Sequence, residues 1–189
     1  LIKDFYSRMG LWENHWVSLS VRDYDHPEKY IGEKSDWDLC ENLLQEISDE
    51  LGFEAKRCEG EAALYGPKLD FMFKDALDRE IQIPTVQLDF ATPKRFGLSY
   101  IDENGEKQTP VMVHRAVLGS YERFLVLLLE QFKGVLPVWL SPVQVNIVPV
   151  NMKYHDEYCQ KLKQLLIDED IRVSYDDSKE QMGKKIRQS

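Results

Sequence analysis

Two hydrophobic periods alternate along this chain, and each change of period marks an element. Residues 16–22, Trp-Val-Ser-Leu-Ser-Val-Arg, alternate apolar and polar side chains, the pattern of a half-buried strand. Before them, residues 1–11 form a short stretch closed at Gly10, read as the tail of a helix whose start precedes Leu1. Residues 23–34 are polar, contain Pro27 and Gly32, and read as a loop. Ser35 then offers a capping hydroxyl with Asp36 and Asp38 behind it. Leu39, Leu43, Leu44, Ile47 and Leu51 follow at helical spacing and Gly52 closes the run. This predicts a helix whose tryptophan and leucines face the core.

Residues 68–74, 80–90 and 98–101, returning through 109–114, read as an antiparallel sheet, with Asn104-Gly105 as the hairpin signal. Residues 116–132 carry Leu118, Phe124, Leu125, Leu128 and Leu129, too apolar for a surface helix, and are expected to pack on that sheet. The character changes at the Pro-punctuated connector 134–142. Residues 143–148, rich in β-branched side chains, then read as a strand of the parallel, buried kind. A helix over 154–167, a strand over 171–175 and a helix from about Glu180 complete a β-α-β unit. The expected fold class is therefore an α+β antiparallel sheet followed by a truncated α/β domain.

Composition narrows the function classes. The chain has 189 residues, 43% hydrophobic and 30% charged, as expected for a folded protein rather than a disordered one. Its net charge of −9 lies wholly in residues 1–150, because residues 151–189 hold eight basic and eight acidic side chains. That balance argues against a nonspecific nucleic-acid coat, but leaves room for a structured RNA bound on a local basic face. Cys40, Cys58 and Cys159 are widely spaced, which excludes a disulfide framework and points to a reducing compartment, the cytoplasm. The longest apolar run, residues 124–129, is far too short to span a membrane, so no membrane partner is expected. The N-terminal Leu-Ile-Lys-Asp is neither an initiator methionine nor a signal peptide, and suggests a piece of a longer protein.

The candidate chemistry is in the sheet. Gln82, Thr85, Gln87 and Asp89 lie on one strand, His114 ends another, and Ser120, Glu122 and Arg123 open the apolar helix. Polar groups cost free energy to bury unless paired, so their concentration marks the polar floor of a cleft. Pro84 cannot donate to a ladder and implies a bulge or an edge. A bulge would change the strand's parity and bring Gln82 and Gln87 to one face. Arg123 can stack its guanidinium on a base or fork onto phosphate, and Gly119 permits close backbone approach. Taken singly, these residues have ordinary readings. His114 is a structural or solvated histidine, Arg123 a surface arginine, Thr85 a strand residue, and Tyr65 beside Gly66-Pro67 a turn aromatic. His15, His26 and His155 read as exposed, the three cysteines as inert, and residues 183–187 as a solvated basic helix face.

The run Val111-Met-Val-His-Arg-Ala-Val-Leu-Gly-Ser-Tyr-Glu-Arg-Phe124 resembles the third signature motif of class II aminoacyl-tRNA synthetases. More narrowly, Glu59-Gly-Glu-Ala-Ala-Leu-Tyr-Gly-Pro-Lys-Leu-Asp70, Gln82-Ile-Pro-Thr-Val-Gln-Leu-Asp-Phe90 and Leu140-Ser-Pro-Val-Gln144 are similar to the bacterial-type threonyl-tRNA synthetase family. The resemblance covers essentially the whole chain. It implies a partial class II catalytic domain over residues 1–136 and the start of an anticodon-binding domain over 137–189. It also implies a homodimer that uses ATP with Mg2+, threonine and tRNA(Thr).

By the same resemblance, Arg123 contacts ATP and is the catalytic residue, with Gln82, Thr85 and Ser120 also on ATP. Tyr65 and Gln87 line the amino-acid pocket. His114 matches the last of three ligands of a Zn2+ that binds threonine's amino and hydroxyl groups. Coordinating the hydroxyl separates threonine from its near-isostere valine, which a hydrophobic pocket does poorly. Ile83-Pro84 stand where many relatives have Cys-Gly, a departure that touches strand geometry and removes no zinc ligand. The other zinc ligands and the first two motifs lie outside this sequence, so the fragment alone is expected to be inactive. The alternative readings are another class II synthetase, such as the prolyl enzyme, and a non-catalytic paralogue that binds RNA or protein.

Overall fold

The computed structural model describes residues 1–188. The first of its two units, Leu1–Gln131, runs α1 (Ile2–Arg8), β1 (His15–Val21), α2 (Lys34–Glu50), β2 (Lys56–Glu59), β3 (Lys68–Lys74), β4 (Glu80–Asp89), α3 (Ala91–Arg95), β5 (Tyr100–Ile101), β6 (Lys107–Gln108), β7 (Met112–Ala116) and α4 (Tyr121–Gln131). The second, Phe132–Ser189, holds β8 (Val145–Ile147), α5 (Met152–Asp168), β9 (Val173–Tyr175) and α6 (Met182–Gln188).

Five strands form the main sheet in the order β2-β1-β3-β4-β7. Its pairs are antiparallel except β1–β2, which are parallel and joined through α2. β2 escapes the hydrophobic pattern, because Lys56-Arg-Cys-Glu59 is a short polar edge with no apolar face to read. Conversely, residues 98–101 do not join the main sheet. β5 and β6 make a separate two-residue hairpin around Asn104-Gly105.

Alternation in the central strands sorts their side chains cleanly. Val17, Leu19, Val21, Leu69, Phe71 and Phe73 are all buried. Each contributes roughly 1.5–3 kcal/mol on leaving water. Tyr6 of α1 stacks on Phe73 at 4.6 Å, and Phe124 of α4 meets Tyr6 edge-on. β1 differs from the expected half-buried strand in that its polar face is buried too. Ser18 and Ser20 are 5% and 1% exposed, tied to each other and to Asp70.

α2 begins at Lys34 with Glu33 as its N-terminal flank, so Ser35 lies inside the helix instead of capping it. Its buried stripe is Trp37, Cys40, Glu41, Leu44 and Ser48, while Leu39, Leu43 and Leu51 are 67%, 43% and 55% exposed. Two polar residues on the core side explain the difference, since a hydrophobic pattern cannot see them. Glu41 accepts from the Arg22 amide at 3.1 Å, the Tyr24 hydroxyl at 2.7 Å and the Arg57 guanidinium at 2.8 Å. Ser48 accepts from the Ala55 amide. Arg22, itself 5% exposed, also bonds Asp38 and the Lys34 carbonyl.

α4 is shorter than expected, because residues 117–120 form the bend that turns β7 into it. Only Phe124, Leu127 and Leu128 are buried, and Leu125 and Leu129 are nearly half exposed. His15 also departs from its expected exposure. It packs against Trp12, Phe71 and Phe73, and burial lowers its pKa, outweighing its bond to the Trp12 carbonyl. A groove of about 840 Å³ lined by Leu44, Leu51, Phe53, Val86, Leu88 and Val113, among others, lies on the apolar face of the sheet.

In the second unit β8 and β9 pair in parallel and α5 connects them as expected, but β8 is only three residues long and Ile147 alone of it is buried, because Gln144 and Asn146 interrupt the expected apolar run. Asn151 caps α5 by accepting from the Lys153 amide. The basic run 183–187 is not wholly solvated. Lys185 is 4% exposed, with its ammonium 3.2 Å from the Asp176 carbonyl and 3.5 Å from its carboxylate.

Removing the Glu41 carboxylate leaves Arg22 and Arg57 without their shared partner. Glu41→Ala is expected to lower unfolding free energy by about 3 kcal/mol in urea titration. In the second unit the Tyr175 hydroxyl donates to Asp156 at 2.5 Å, and that bond, with burial, raises its pKa from 10.0 to about 12. A raised phenol pKa contributes stability below pH 10 that is lost as pH climbs toward 12. Tyrosinate absorbance, differenced against Tyr175→Phe, should show this group titrating well above an ordinary tyrosine, and Asp156→Asn should bring it down.

Candidate active site

Cross-strand register assembles the polar face. Residues directly opposite in a ladder point to the same side of a sheet. Ser18 pairs with Asp70 and Ser20 with Lys68. Asp70 in turn pairs with Thr85, Lys68 with Gln87, and Gln87 with His114. One face of four strands is therefore polar while the other is the apolar core.

Gln82 joins that face only because β4 is irregular. Asp70 opposes Thr85 but Met72 opposes Gln82, so β4 carries one residue more than β3 at Ile83-Pro84. Pro84 has no amide hydrogen for the ladder and sits in that extra turn of backbone. The parity change brings Gln82, Thr85 and Gln87 onto one side. Ile83, released from alternation, is buried at 2% exposure.

Asp70 organises one half of the face. Its carboxylate is 3% exposed and receives Gln82 Nε2 at 2.6 Å, Ser20 Oγ at 3.0 Å and Lys68 Nζ at 2.7 Å. A buried carboxylate with three donors is satisfied, and each donor loses its freedom to turn away. Lys68 and Asp70 belong to this polar face, although the sequence reading does not single them out. The signal was present in Lys68-Leu-Asp-Phe-Met-Phe, whose polar positions alternate with the core phenylalanines.

The other half centres on Gln87. Tyr65 donates its hydroxyl to Gln87 Oε1 at 2.5 Å, and Gln87 Nε2 reaches Thr85 Oγ1 at 3.3 Å. Tyr65 is brought there by a tight approach, because a Cβ on Gly66 would stand 1.7 Å from the Leu88 carbonyl. His114 lies beside the Tyr65 ring at 5.7 Å between centroids. Its Nε2 is 2.9 Å from Asp89 Oδ2, and Asp89 Oδ1 accepts from the Thr92 amide at 2.8 Å. Burial acts to raise the Asp89 pKa, but the bonds from His114 and Thr92 outweigh it and hold the carboxyl below its ordinary value.

Ser120 and Arg123 approach from the bend before α4. Ser120 Oγ accepts from the Arg123 amide at 3.3 Å, and Arg123 Nη1 donates to the Gln82 carbonyl at 3.4 Å. Gly119 makes that approach possible. It has φ of +61°, and a Cβ there would lie 2.4 Å from the Ile83 carbonyl. The bend is thus seated on the β4 bulge itself. The structure brings Gln82, Thr85, Gln87, Tyr65 and His114 into one cluster and rests Arg123 and Ser120 on its Gln82 end.

For a metal, the donor set is one imidazole. Among the described residues no group of three His, Cys, Asp or Glu side chains is arranged to hold an ion. His114 nevertheless suits a single ligand position. It is 43% exposed, and its Nε2 is occupied by a buried carboxylate, so Nδ1 is the nitrogen left free.

Residues 1–132 match the family described as tRNA synthetase class II core domain (G, H, P, S and T), and residues 144–189 match the anticodon binding domain. The chain belongs to the class II tRNA synthetase core family. Within it, the chain is 44% identical over all 189 residues to the threonine–tRNA ligases of Lactobacillus acidophilus and Staphylococcus aureus, and spans 29% of each. It is also similar to a crystal structure described as the RNA binding domain of threonyl-tRNA synthetase from Cryptosporidium parvum Iowa II. The TM-score is 0.79 at 36% identity, over 99% of this chain and 46% of that one.

Both glycine contacts are testable without knowing the reaction. Gly66→Ala and Gly119→Ala each force a methyl into a backbone carbonyl, and Gly119→Ala adds the strain of φ +61°. Each should lower stability by about 1–3 kcal/mol in urea unfolding. Gly66→Ala, with the shorter contact, should cost more.

Proposed function

We propose that this chain is part of a threonine–tRNA ligase, which forms threonyl-adenylate from threonine and ATP and passes the threonyl group to tRNA(Thr). One observation carries the reading: the bulged β4 holds the expected ATP-side and amino-acid-side residues on a single polar face, Gln82 and Thr85 toward one end and Gln87, Tyr65 and His114 toward the other. The identity of 44% to threonine–tRNA ligases along the whole chain supports the same choice of amino acid. The domain division is proposed at 136/137, within the stretch that separates the two family matches.

The reaction joins a threonine carboxylate oxygen to the α-phosphorus of ATP and releases pyrophosphate. It calls for positioning and charge neutralisation, with no covalent enzyme group. Arg123 is the catalytic residue in this scheme. Its guanidinium, steadied on the Gln82 carbonyl, offers its remaining N–H groups to the phosphate charge that Mg2+ also shares. Ser120, Thr85 and Gln82 complete the ATP contacts, with Gln82 held by Asp70. Tyr65 and Gln87 fix each other's orientation in the amino-acid pocket.

His114 would supply one ligand of a Zn2+ whose other ligands come from outside residues 1–189. When bound, the zinc supplies a Lewis-acid contact that recognises the threonine amino and hydroxyl groups. tRNA binding is assigned to the second unit through its anticodon-binding match. A homodimer and a cytoplasmic location complete the proposal. The cysteines are all free, and no helix among the described residues is long and apolar enough to cross a membrane.

Threonine-dependent ATP–pyrophosphate exchange by the full-length protein tests this. Strong exchange with threonine and little with valine or proline is expected. Arg123→Ala should lower kcat by about 10²–10³-fold, and His114→Ala should abolish threonine-dependent exchange. Proline-dependent exchange would reassign the chain to the prolyl branch. No exchange from folded, zinc-replete protein would favour a non-catalytic paralogue.

A further inference from the structure

Asp89 has no assigned part in the reaction, yet it is among the most buried charged groups near the cluster, at 1% exposure. It ends β4 two residues beyond Gln87, on the same face, where the β4–β7 register sets Gln87 opposite His114 and Asp89 opposite Met112. Both carboxylate oxygens are engaged: Oδ1 by the Thr92 amide at 2.8 Å, Oδ2 by His114 Nε2 at 2.9 Å. The Thr92 bond ties the carboxylate to the first turn of α3, so the group is anchored independently of the histidine.

We propose that Asp89 is a positioning residue that fixes the His114 imidazole in its Nε2–H tautomer and thereby makes Nδ1 the atom presented to the metal. An ionised carboxylate only accepts, so the hydrogen of this contact is carried by Nε2 and the Nδ1 lone pair is free. The ring cannot turn over without leaving a buried carboxylate oxygen unpartnered, which costs more than the bond itself contributes. The Tyr65 ring lies 5.7 Å from the imidazole between centroids and is itself held by Gln87. Imidazole ligands whose second nitrogen is bonded to a carboxylate are oriented and made more basic by it, and losing that partner typically weakens metal binding about 10–100-fold. The metal half of this inference rests on the zinc reading above, whereas the tautomer half does not.

The two halves are tested separately. In the metal-free 189-residue chain, nitrogen-15 NMR of the neutral His114 side chain should report a protonated Nε2 and an unprotonated Nδ1. A protonated Nδ1 in this wild-type chain overturns the proposal without any variant. Asp89→Asn preserves size and keeps an oxygen for the Thr92 amide, but turns an amide N–H toward Nε2. The proton should then move to Nδ1, and an unchanged tautomer counts against the proposal. In the full-length protein, Asp89→Asn should lose zinc to a chelator about 10–100-fold more readily and raise the threonine KM while leaving the ATP KM unchanged. Wild-type zinc retention in Asp89→Asn, with the tautomer reversed, overturns the role toward the metal. If the wild-type full-length protein itself holds no zinc, the metal half fails with the zinc reading, and the NMR result stands by itself.

Discussion

The candidate site depends on one extra residue in β4. Side chains in a regular strand alternate faces, so Gln82 and Gln87, five positions apart, belong on opposite sides of the sheet. The register step at Ile83-Pro84 reverses the parity once, between them. Without it, Gln82 would point into the apolar core, against Phe71 and Phe73, and its bond to Asp70 would be impossible. The same irregularity presents the Ile83 carbonyl to Gly119 and the Gln82 carbonyl to Arg123. The bulge therefore orders the strand's own side chains and also seats the bend that delivers the arginine.

Proline is well suited to that position. A ladder residue loses a hydrogen bond when it becomes proline, but the extra residue of a bulge has no ladder partner to lose. Pro84 also has its φ already fixed, which reduces the entropy lost when the irregular turn forms. A more flexible dipeptide can make the same bulge, so the local chemistry is compatible with the Cys-Gly of the resembling family.

Much of this was readable in the sequence wherever a signal is local and apolar. The alternation over Val17, Leu19 and Val21 marks β1, the β-branched positions Val145 and Ile147 mark β8, and Pro84 marks the bulge. What escaped was polar burial. Glu41 and Ser48 occupy the inward stripe of α2, so leucines one position round the helix were assigned to the core in their place. A helix face is chosen by total partnership, hydrogen bonds included, and a hydrophobicity pattern counts only part of it. His15 departs from its expected exposure for a related reason. Its aromatic neighbours Phe71 and Phe73 come from a strand more than fifty residues away. β2 carried no signal, since an edge strand of Lys56-Arg-Cys-Glu is specified by its neighbour β1 and not by its own composition.

Asp70 and Asp89 belong to the same blind spot, and together they explain how a polar sheet face can be rigid. Glutamine, lysine and histidine side chains are flexible and would each find solvent if left alone. Two buried carboxylates, 3% and 1% exposed, remove that choice, because each must be matched by donors from its surroundings. Asp70 takes its donors from Ser20, Lys68 and Gln82, drawn from three strands. Asp89 takes them from Thr92 and His114, across the β4–β7 pair and the start of α3. The cost of burying each charge is offset by ordering the groups that would meet ligands, so burial energy is converted into preorganisation. In such a face the residues that touch substrate need only the right chemistry. Their geometry is imposed from beneath by the buried carboxylates of Asp70 and Asp89.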